Sequence, residues 1–260
     1  MNNAVRTTLR TAAIGGFIAL QSIAGQCAEP ATHHPHWSYS GTSGPEKWSE
    51  VDSKFTSCSQ GKVQSPIDIR TTDAKHGALS PLTFDYQASP LKLIDNGHTI
   101  QVNYAPGSFM TVDGKRYELL QFHFHKPSEE RIDGKRYALV AHLVHKNAEG
   151  ELAVVGVLME PGAKRAMIKT IFDNLPPQKE KEVEVPGVSI NIASLLPENR
   201  AYYSFSGSLT TPPCSEGVAW YVMKNAVPVS SAQIAQFGHV YKMNARPVQS
   251  ANGRVVLVND

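Results

Sequence analysis

Apolar positions along the chain follow the pattern of short β-strands. In several segments apolar residues alternate with polar ones or form β-branched runs, as strands do, whereas helices need longer stretches with a period near 3.6. The strand-like segments are Leu91–Ile94, Thr99–Tyr104, Glu118–His125, Leu139–His145 and Leu152–Leu158. Turn dipeptides lie near their ends, at Asn96-Gly97, Asp113-Gly114, Asp133-Gly134 and Glu149-Gly150.

Helical periodicity is scarce. Residues Pro161–Asn174 begin with Pro and Gly and carry apolar residues at helical spacing, and Ser230–Phe237 opens with serines suited to capping. No repeat, low-complexity linker or shift of composition marks a second domain. We therefore predict a single domain that is predominantly β with a few short helices.

The beginning of the chain has the order of a secretory signal peptide. Arg6 and Arg10 precede an apolar run from about Ala12 to Gly25, and small residues follow up to Ala28. The run is too short to span a bilayer, and no second apolar stretch of spanning length follows it. We predict a signal peptide over residues 1–28, a mature domain over residues 29–260, no membrane span, and a periplasmic or secreted protein.

Charge gives no sign of a nucleic-acid partner. The chain has 25 Lys and Arg against 23 Asp and Glu, without a long run of either sign. A nucleic-acid footprint or a basic membrane face would need clustered positive charge. We therefore predict no nucleic-acid partner.

The three cysteines suit an oxidising compartment. Removal of the signal peptide takes Cys27 away and leaves an even pair, Cys58 and Cys214. Two interpretations stay open at this point, a disulfide or two buried free thiols. If cleavage spared Cys27, its odd thiol could join two copies into a homodimer.

Candidate chemistry is concentrated in the stretch Gln121-Phe-His-Phe-His125. Residues two apart on a strand share a face, so His123 and His125 project together. The two intervening phenylalanines then project to the opposite, apolar side. This pair alone predicts either a metal site or two accidental surface histidines.

A third histidine follows from a hypothesis about strand pairing. If Asp133-Gly134 is the two-residue tip of an antiparallel hairpin, His125 lies opposite His142 and His123 lies opposite Val144. Three imidazoles then share one face of two adjacent strands, within reach of one ion.

The register has an alternative. Pro127 disturbs pairing near the tip, and a slip by one residue would present His145 in place of His142. His142 is favoured because it shares its strand face with Val140 and Val144, whereas His145 would share the face of the phenylalanines.

Three neutral imidazoles suit Zn²⁺. They leave the fourth coordination position to water, which is typical of catalytic zinc and not of structural zinc. The sequence has no His-Glu-x-x-His motif, which argues against a zinc metalloprotease. We predict one zinc ion whose bound water attacks a small electrophilic substrate.

A set of short motifs runs in order from Trp37 to Gln249. The motifs are Trp37-Ser-Tyr-Ser-Gly41, Gly44-Pro-Glu-Lys-Trp48, Gln64-Ser-Pro-Ile-Asp68, Asn96-Gly-His98, Gln121-Phe-His-Phe-His125, Ser128-Glu129, Ala141-His-Leu-Val-His145, Ser208-Leu-Thr-Thr-Pro-Pro213 and Arg246-Pro-Val-Gln249. Each is weak alone, but the ordered set is very specific. The chain resembles the α-class carbonic anhydrases of the bacterial exported type.

The resemblance implies a fold, a reaction and partners. The fold is a single domain on a large, twisted, mostly antiparallel sheet, with the metal at the bottom of a conical cleft. The reaction is the reversible hydration of carbon dioxide to bicarbonate and a proton by zinc-bound hydroxide. Anions and sulfonamides are the implied inhibitors.

The resemblance also assigns roles to residues. Thr210 and Glu129 would orient the nucleophile, and His98 would carry the proton away as a shuttle. The apolar substrate pocket would comprise Val144, Val154, Leu209, Val218 and Trp220. Gln121 would orient His123, Tyr39 and Asn96 would order water in the cleft, Thr211 and Gln101 would line its polar wall, and Cys58 would pair with Cys214. Gln101 stands where the family often has Asn.

One departure from the family concerns the third ligand. Two residues before it the family commonly has Glu, which accepts the second N–H of the ligand, whereas this chain has Val140. Just after the Ser-Glu pair, where the family usually has His, this chain has Glu130. Our hypothesis is that Glu130 supplies the missing carboxylate to His142.

Two other functions are compatible with parts of this pattern. A noncatalytic binding module could keep this fold, but such relatives lack a zinc histidine, and all three candidates are present here. A zinc esterase could use the same nucleophile, although a narrow pocket lined by valines argues against a bulky natural substrate.

Overall fold

The computed structural model describes Met1 and residues 36–259. The predicted signal peptide, apart from Met1, lies outside the described residues, and so does Cys27. The boundary after residue 28 therefore stays a prediction. Among the described residues, no helix has the length and apolar character needed to cross a bilayer.

Strands dominate the described part of the chain. They are β1 (Asp68–Ile69), β2 (Lys75–His76), β3 (Thr83–Asp85), β4 (Ser89–Asp95), β5 (Ile100–Asn103), β6 (Phe109–Val112), β7 (Lys115–His125), β8 (Arg131–Ile132), β9 (Lys135–Arg136), β10 (Leu139–Lys146), β11 (Leu152–Pro161), β12 (Val183–Ile190), β13 (Tyr202–Ser208), β14 (Glu216–Met223), β15 (Val227–Val229) and β16 (Leu257–Val258). The α-helices are α1 (Trp48–Val51), α2 (Ser57–Gln60), α3 (Ala166–Phe172) and α4 (Ser231–Val240). Short 3₁₀ helices cover Gly41–Ser43, Pro45–Lys47, Ser53–Phe55 and Ile192–Leu195.

One large sheet forms the body of the molecule. Its strands follow the order β12-β4-β5-β7-β10-β11-β14-β13-β16-β2, with β15 on β11, β6 on β7 and β3 on β6. Most pairs are antiparallel, and the parallel ones are β11 with β14, β11 with β15, and β16 with β2. The prediction of a mostly antiparallel, sheet-based domain is confirmed.

The two faces of the sheet carry separate apolar clusters. The larger cluster contains Phe122 and Phe124 of β7 and is covered by α3 and α4, whose Phe172 and Phe237 contact the Phe124 ring. The smaller cluster lies on the opposite face and includes Val154 and Trp220 among other residues. Alternation along β7 therefore directs its histidines to the face of the smaller cluster, near the middle of the sheet.

The predicted register of the two histidine strands was wrong by two residues. His142 lies opposite His123, and Val140 lies opposite His125. Asp133-Gly134 does form a hairpin turn with positive φ at both residues, 50° and 77°. That turn joins β8 to β9, which form a separate small sheet with β1. The pairing of β7 with β10 is therefore not set by this turn, but a shift by an even number keeps all three imidazoles on one face.

Both predicted helical regions contain a helix. The longer helix, α4, starts with a capping box, in which the Ser230 side chain accepts from the Gln233 N–H and the Gln233 side chain accepts from the Ser230 N–H. Helices α1 and α2 were not predicted, because four residues are too few to show a periodic pattern.

A disulfide joins Cys58 of α2 to Cys214 in the segment between β13 and β14. The bond closes a span of 156 residues and confirms the predicted pairing. It attaches the segment that carries Thr210 and Thr211 to the N-terminal part of the domain. Disulfides of this kind persist in oxidising compartments.

His145 is buried on the opposite face of β10 from His142. Its Nε2 forms a hydrogen bond of 2.7 Å with the Tyr86 hydroxyl. Burial lowers the pKa of His145 to about 4, although hydrogen bonding to the backbone at Ala153 and Leu143 opposes this shift. This histidine is a core residue, as the sequence favoured, and the metal-site alternative through His145 is excluded by its face.

We expect His145 to make the fold sensitive to acid. Since its pKa is about 4 in the folded chain and 6.5 ordinarily, the unfolded chain binds the extra proton between these values, and stability falls as pH falls from 6.5 to 4. In His145→Phe the slope of unfolding free energy in this window should decrease by about 1.4 kcal/mol per pH unit. Urea unfolding over this pH range measures it. His239→Phe, an exposed position on α4, is the control, and an unchanged slope in His145→Phe would contradict the assignment.

Candidate metal centre

Three imidazoles converge on the face of the smaller apolar cluster. His123 and His125 come from β7 and His142 from β10, and one ring nitrogen of each lies within 4.8 Å of the others. His125 and His142 are fully buried, and His123 is open on one side to the cleft. In the described part of the chain this group includes no fourth Cys, Asp or Glu ligand.

The second nitrogen of each ring faces a hydrogen-bond acceptor. His123 Nδ1 lies 2.8 Å from Gln121 Oε1, and His125 Nδ1 lies 2.7 Å from the Asn244 carbonyl. His142 uses its other nitrogen, since its Nε2 lies 3.1 Å from Glu130 Oε2. A neutral imidazole carries one N–H, and each acceptor takes it. The nitrogens left with lone pairs are therefore Nε2 of His123, Nε2 of His125 and Nδ1 of His142.

Electrostatics keeps two of the rings neutral. Burial, with a contribution from His142, lowers the pKa of His123 to about 3. Burial together with the neighbouring His142 and His123 lowers the pKa of His125 well below its ordinary value. For His142 burial lowers the pKa, but the charge and hydrogen bond of Glu130 and the charge of Glu129 together raise it. Neutral imidazole is the form that binds metals.

The arrangement fits a metal dication. His125 Nε2 is buried and has no hydrogen-bond partner among the described residues. An unpaired buried polar atom costs about 1–3 kcal/mol, and a metal at the point of convergence would remove that cost. Three imidazole nitrogens with one open position form the donor set typical of catalytic Zn²⁺.

Glu129 lies next to the converging nitrogens of His125 and His142. Its Oε1 accepts from the Arg246 N–H at 2.7 Å, and its Oε2 is 3.5 Å from His125 Nε2 and 3.8 Å from His142 Nδ1. Burial and the neighbouring Glu130 raise the pKa of Glu129 to about 7, against the opposing effects of His142, the Thr210 hydroxyl and the Arg246 N–H. Thr210 is itself buried, so the pair sits out of bulk solvent.

A cavity of about 200 Å³ opens beside the histidines. Its lining residues are Gln121, His123, His142, Val144, Val154, Leu209, Thr210, Thr211 and Trp220. All but one of the residues predicted for the substrate pocket are therefore in this wall. The exception, Val218, is buried in the same apolar cluster as Trp220 but does not line the cavity.

The polar side of the cleft starts at β5. Gln101 lies opposite His123 in the sheet, and its Oε1 accepts from Asn96 Nδ2 at 3.4 Å. Asn96 Oδ1 accepts from the backbone N–H groups of His98 and Thr99, which holds the turn after β4. The Tyr39 hydroxyl is buried without a hydrogen-bond partner among the described residues, and burial raises its pKa well above the ordinary value.

His98 is half-buried in the turn between β4 and β5. Its ring stacks on Trp37 with centroids 3.6 Å apart and planes 6° apart, and the His36 ring lies 6.3 Å away. Burial lowers the pKa of His98, as do the charges of His36 and Lys179. A half-buried imidazole with an ordinary pKa near neutrality can exchange protons with solvent.

Comparison with known proteins agrees with this geometry. Residues 43–260 match the profile of the eukaryotic-type carbonic anhydrase family. A carbonic anhydrase of Klebsiella pneumoniae is 45% identical over 225 residues, which are 85% of this chain and 90% of that protein. This chain belongs to the α-carbonic anhydrase family.

Solved α-carbonic anhydrase structures share the fold. That of Photobacterium profundum is 45% identical, with a TM-score of 0.80 over 85% of this chain and 100% of the other. That of Thermovibrio ammonificans, in complex with the inhibitor sulfanilamide, is 42% identical, with a TM-score of 0.83 over 86% of this chain and 99% of the other. α-Carbonic anhydrases are zinc enzymes that hydrate carbon dioxide.

Several residues that hold the site were missed in the sequence. The Asn244 carbonyl, which accepts from His125, is a backbone group and leaves no side-chain signal. Arg246 was quoted only as part of a motif, yet its N–H binds Glu129 and its buried guanidinium donates to Gln64, Ser65 and Cys58. Through these four acceptors Arg246 links segments that are far apart in the chain. The Arg-Pro motif alone does not indicate these contacts, because they depend on the fold.

The contact between Glu130 and His142 generates a prediction about metal binding. In Glu130→Gln the loss of the acceptor's charge should weaken zinc affinity about tenfold, because a weaker acceptor makes the ligand less basic, and Glu130→Ala should weaken it further. Competition with a chromophoric chelator measures the affinity. Glu160→Gln, an exposed carboxylate paired with Lys135, should bind zinc as the unchanged chain does. Unaltered affinity in both Glu130 variants would reject the hypothesis.

Proposed function

We propose that this chain is an exported zinc carbonic anhydrase that catalyses the reversible hydration of carbon dioxide to bicarbonate and a proton. The observation that carries the proposal is a group of three imidazole nitrogens within 4.8 Å of one another, beside a small cavity with an apolar side. Zn²⁺ held there by His123, His125 and His142 would lower the pKa of a bound water to about 7, the value known for carbonic anhydrases, and so supply a nucleophile at neutral pH.

Glu129 and Thr210 would orient the nucleophile. A hydroxyl has one hydrogen, so once Thr210 donates it to Glu129, the Thr210 oxygen can only accept. It then accepts from the nucleophile and directs a lone pair of that group toward the cavity. Arg246 supports this role, because its N–H holds the Glu129 carboxylate in place.

The apolar wall would hold the substrate. Carbon dioxide has no net dipole, and the cavity beside Thr210 is lined by Val144, Val154, Leu209 and Trp220. With a volume of about 200 Å³ it suits a molecule of three atoms better than the acyl group of a bulky ester. Sulfonamides and anions are proposed as inhibitors, in line with the sulfanilamide complex of the Thermovibrio ammonificans protein.

His98 would remove the proton that each turnover releases. A donor of pKa about 7 that gives protons directly to water is limited to roughly 10³ s⁻¹, even with diffusion-limited recapture. A histidine between cleft and solvent avoids this limit by passing the proton to buffer. Its half-buried position in the turn held by Asn96 supports the role.

Export is supported by the signal-like beginning of the chain and by the disulfide. A homodimer through Cys27 stays a prediction.

Stopped-flow hydration of carbon dioxide tests the function. The purified protein should hydrate carbon dioxide, lose the activity after dialysis against a zinc chelator, and regain it with one equivalent of Zn²⁺ per chain. Ester hydrolysis without carbon dioxide hydration would indicate the zinc esterase instead. A chain that binds no zinc would be the noncatalytic module.

A second measurement tests the shuttle. In His98→Ala, steady-state turnover in dilute buffer should fall toward the roughly 10³ s⁻¹ limit of direct release, and small imidazole buffers should restore it. Zinc content should not change, because His98 does not contact the ligands. His239→Ala, at an exposed position, is the control. Turnover in dilute buffer equal to that of the unchanged chain would remove His98 from the mechanism.

A further inference from the structure

A chain of side-chain hydrogen bonds leads from the turn of His98 to the surface. Asn96 Nδ2 donates to Gln101 Oε1 at 3.4 Å, and Gln101 Nε2 donates to Asn103 Oδ1 at 2.6 Å. Asn103 Nδ2 then donates to Glu182 Oε2. Glu182 is exposed and stands immediately before β12, at the edge of the large sheet.

The chain of hydrogen bonds runs beside the metal ligands. Gln101 and Asn103 are two apart on β5 and share a face. Gln101 lies opposite His123, and Asn103 lies opposite Gln121, the residue that accepts from His123. The amides therefore lie on the same face of the sheet as the candidate metal ligands, on the strand next to β7.

The partners at the two ends of this row of hydrogen bonds fix compatible orientations of the three amides. At the inner end, the N–H groups of His98 and Thr99 need an acceptor, so Asn96 must turn its oxygen toward them and its NH₂ toward Gln101. At the outer end a carboxylate can only accept, so Asn103 must turn its NH₂ toward Glu182. Gln101 between them has one orientation that satisfies both neighbours.

The outer acceptor, Glu182, is a side chain and can be replaced by mutation. The inner partners of Asn96 are backbone N–H groups, which a substitution does not remove. An amide can exchange its oxygen and nitrogen by a half-turn, and nothing in its shape prevents this. If the outer acceptor became a donor, Asn103 would turn its oxygen outward, Gln101 would follow, and Asn96 would lose its acceptor at Gln101. The donors and acceptors that face the cleft water would be reversed.

We infer that Glu182 is a positioning residue for proton release, because it fixes the orientation of the amide wall that orders water between His98 and the metal site. This inference rests on the proposed function. Glu182 acts through Asn103 and Gln101 and touches neither substrate nor metal ligands.

The test compares two carboxylates at the same sheet edge. Glu182→Lys replaces the acceptor with a donor, and Glu184→Lys makes the same charge change at a residue that pairs with Lys92. Glu182→Gln removes the charge but keeps an acceptor oxygen. In dilute buffer, kcat for carbon dioxide hydration should fall about fivefold in Glu182→Lys, the factor expected for one lost hydrogen bond. It should stay unchanged in Glu182→Gln and Glu184→Lys.

Further readouts separate positioning from a general disturbance. In Glu182→Lys, kcat/KM and zinc content should match the unchanged chain, since proton release follows the chemical step, and imidazole buffer should restore kcat. An equal fall in Glu184→Lys, or no fall in Glu182→Lys, would overturn the inference.

Side-chain amide NMR tests the wall independently of activity. The NH₂ signals of Gln101 and Asn103 should shift in Glu182→Lys and stay in place in Glu184→Lys. Unshifted signals in Glu182→Lys would overturn the inference even in an active enzyme. A chain without carbon dioxide hydration would instead refute the proposed function, and the NMR comparison would still decide whether Glu182 orients the amides.

Discussion

The antiparallel pairing of β7 with β10 is the constraint on which the site depends. It puts His142 opposite His123, and the period of two along β7 adds His125 to the same face. β5 extends this row on one side with Gln101, and β11 and β14 extend it on the other with the apolar residues around Trp220. The cleft therefore has a polar and an apolar wall because its histidine strands lie between two different kinds of neighbour.

A second constraint concerns the nitrogens that do not converge. Each candidate ligand has its outer N–H taken by a different kind of acceptor, a side-chain amide, a backbone carbonyl or a carboxylate. These bonds set both the tautomer and the plane of each ring before any metal is bound. Burial then disfavours protonation of His123 and His125, so the strand face presents lone pairs where a histidine cluster in water would present charge.

The two acidic residues beside the histidines have different partners. Glu130 bonds to a ligand ring, whereas Glu129 bonds to the Arg246 backbone and stands next to Thr210. Both glutamates are fully buried in the segment that follows β7. The network of Arg246 and the disulfide holds the facing segment, so the Thr210 side of the cleft is anchored to the same part of the domain.

The local pattern of residues by itself determined the strand segments around the histidines, the shared face of His123 and His125, the opposite face of the phenylalanines and the helix that begins at Ser231. These features depend on periods of two or 3.6 along the chain, which any short stretch displays. The ordered motifs added the family and the residues of the pocket. The cysteine count left two alternatives until the fold brought Cys58 and Cys214 together.

Only the tertiary structure decided the register of β7 and β10, the acceptor for His125, and the end of the amide wall at Glu182. Each depends on pairing between segments far apart in the chain. The predicted register failed because the Asp133-Gly134 turn belongs to a small hairpin of its own, and it succeeded for the shared face because a shift of two preserves the side of the sheet. The face to which a side chain points follows from alternation along its own strand, whereas the register between two strands depends on the packing of the whole sheet.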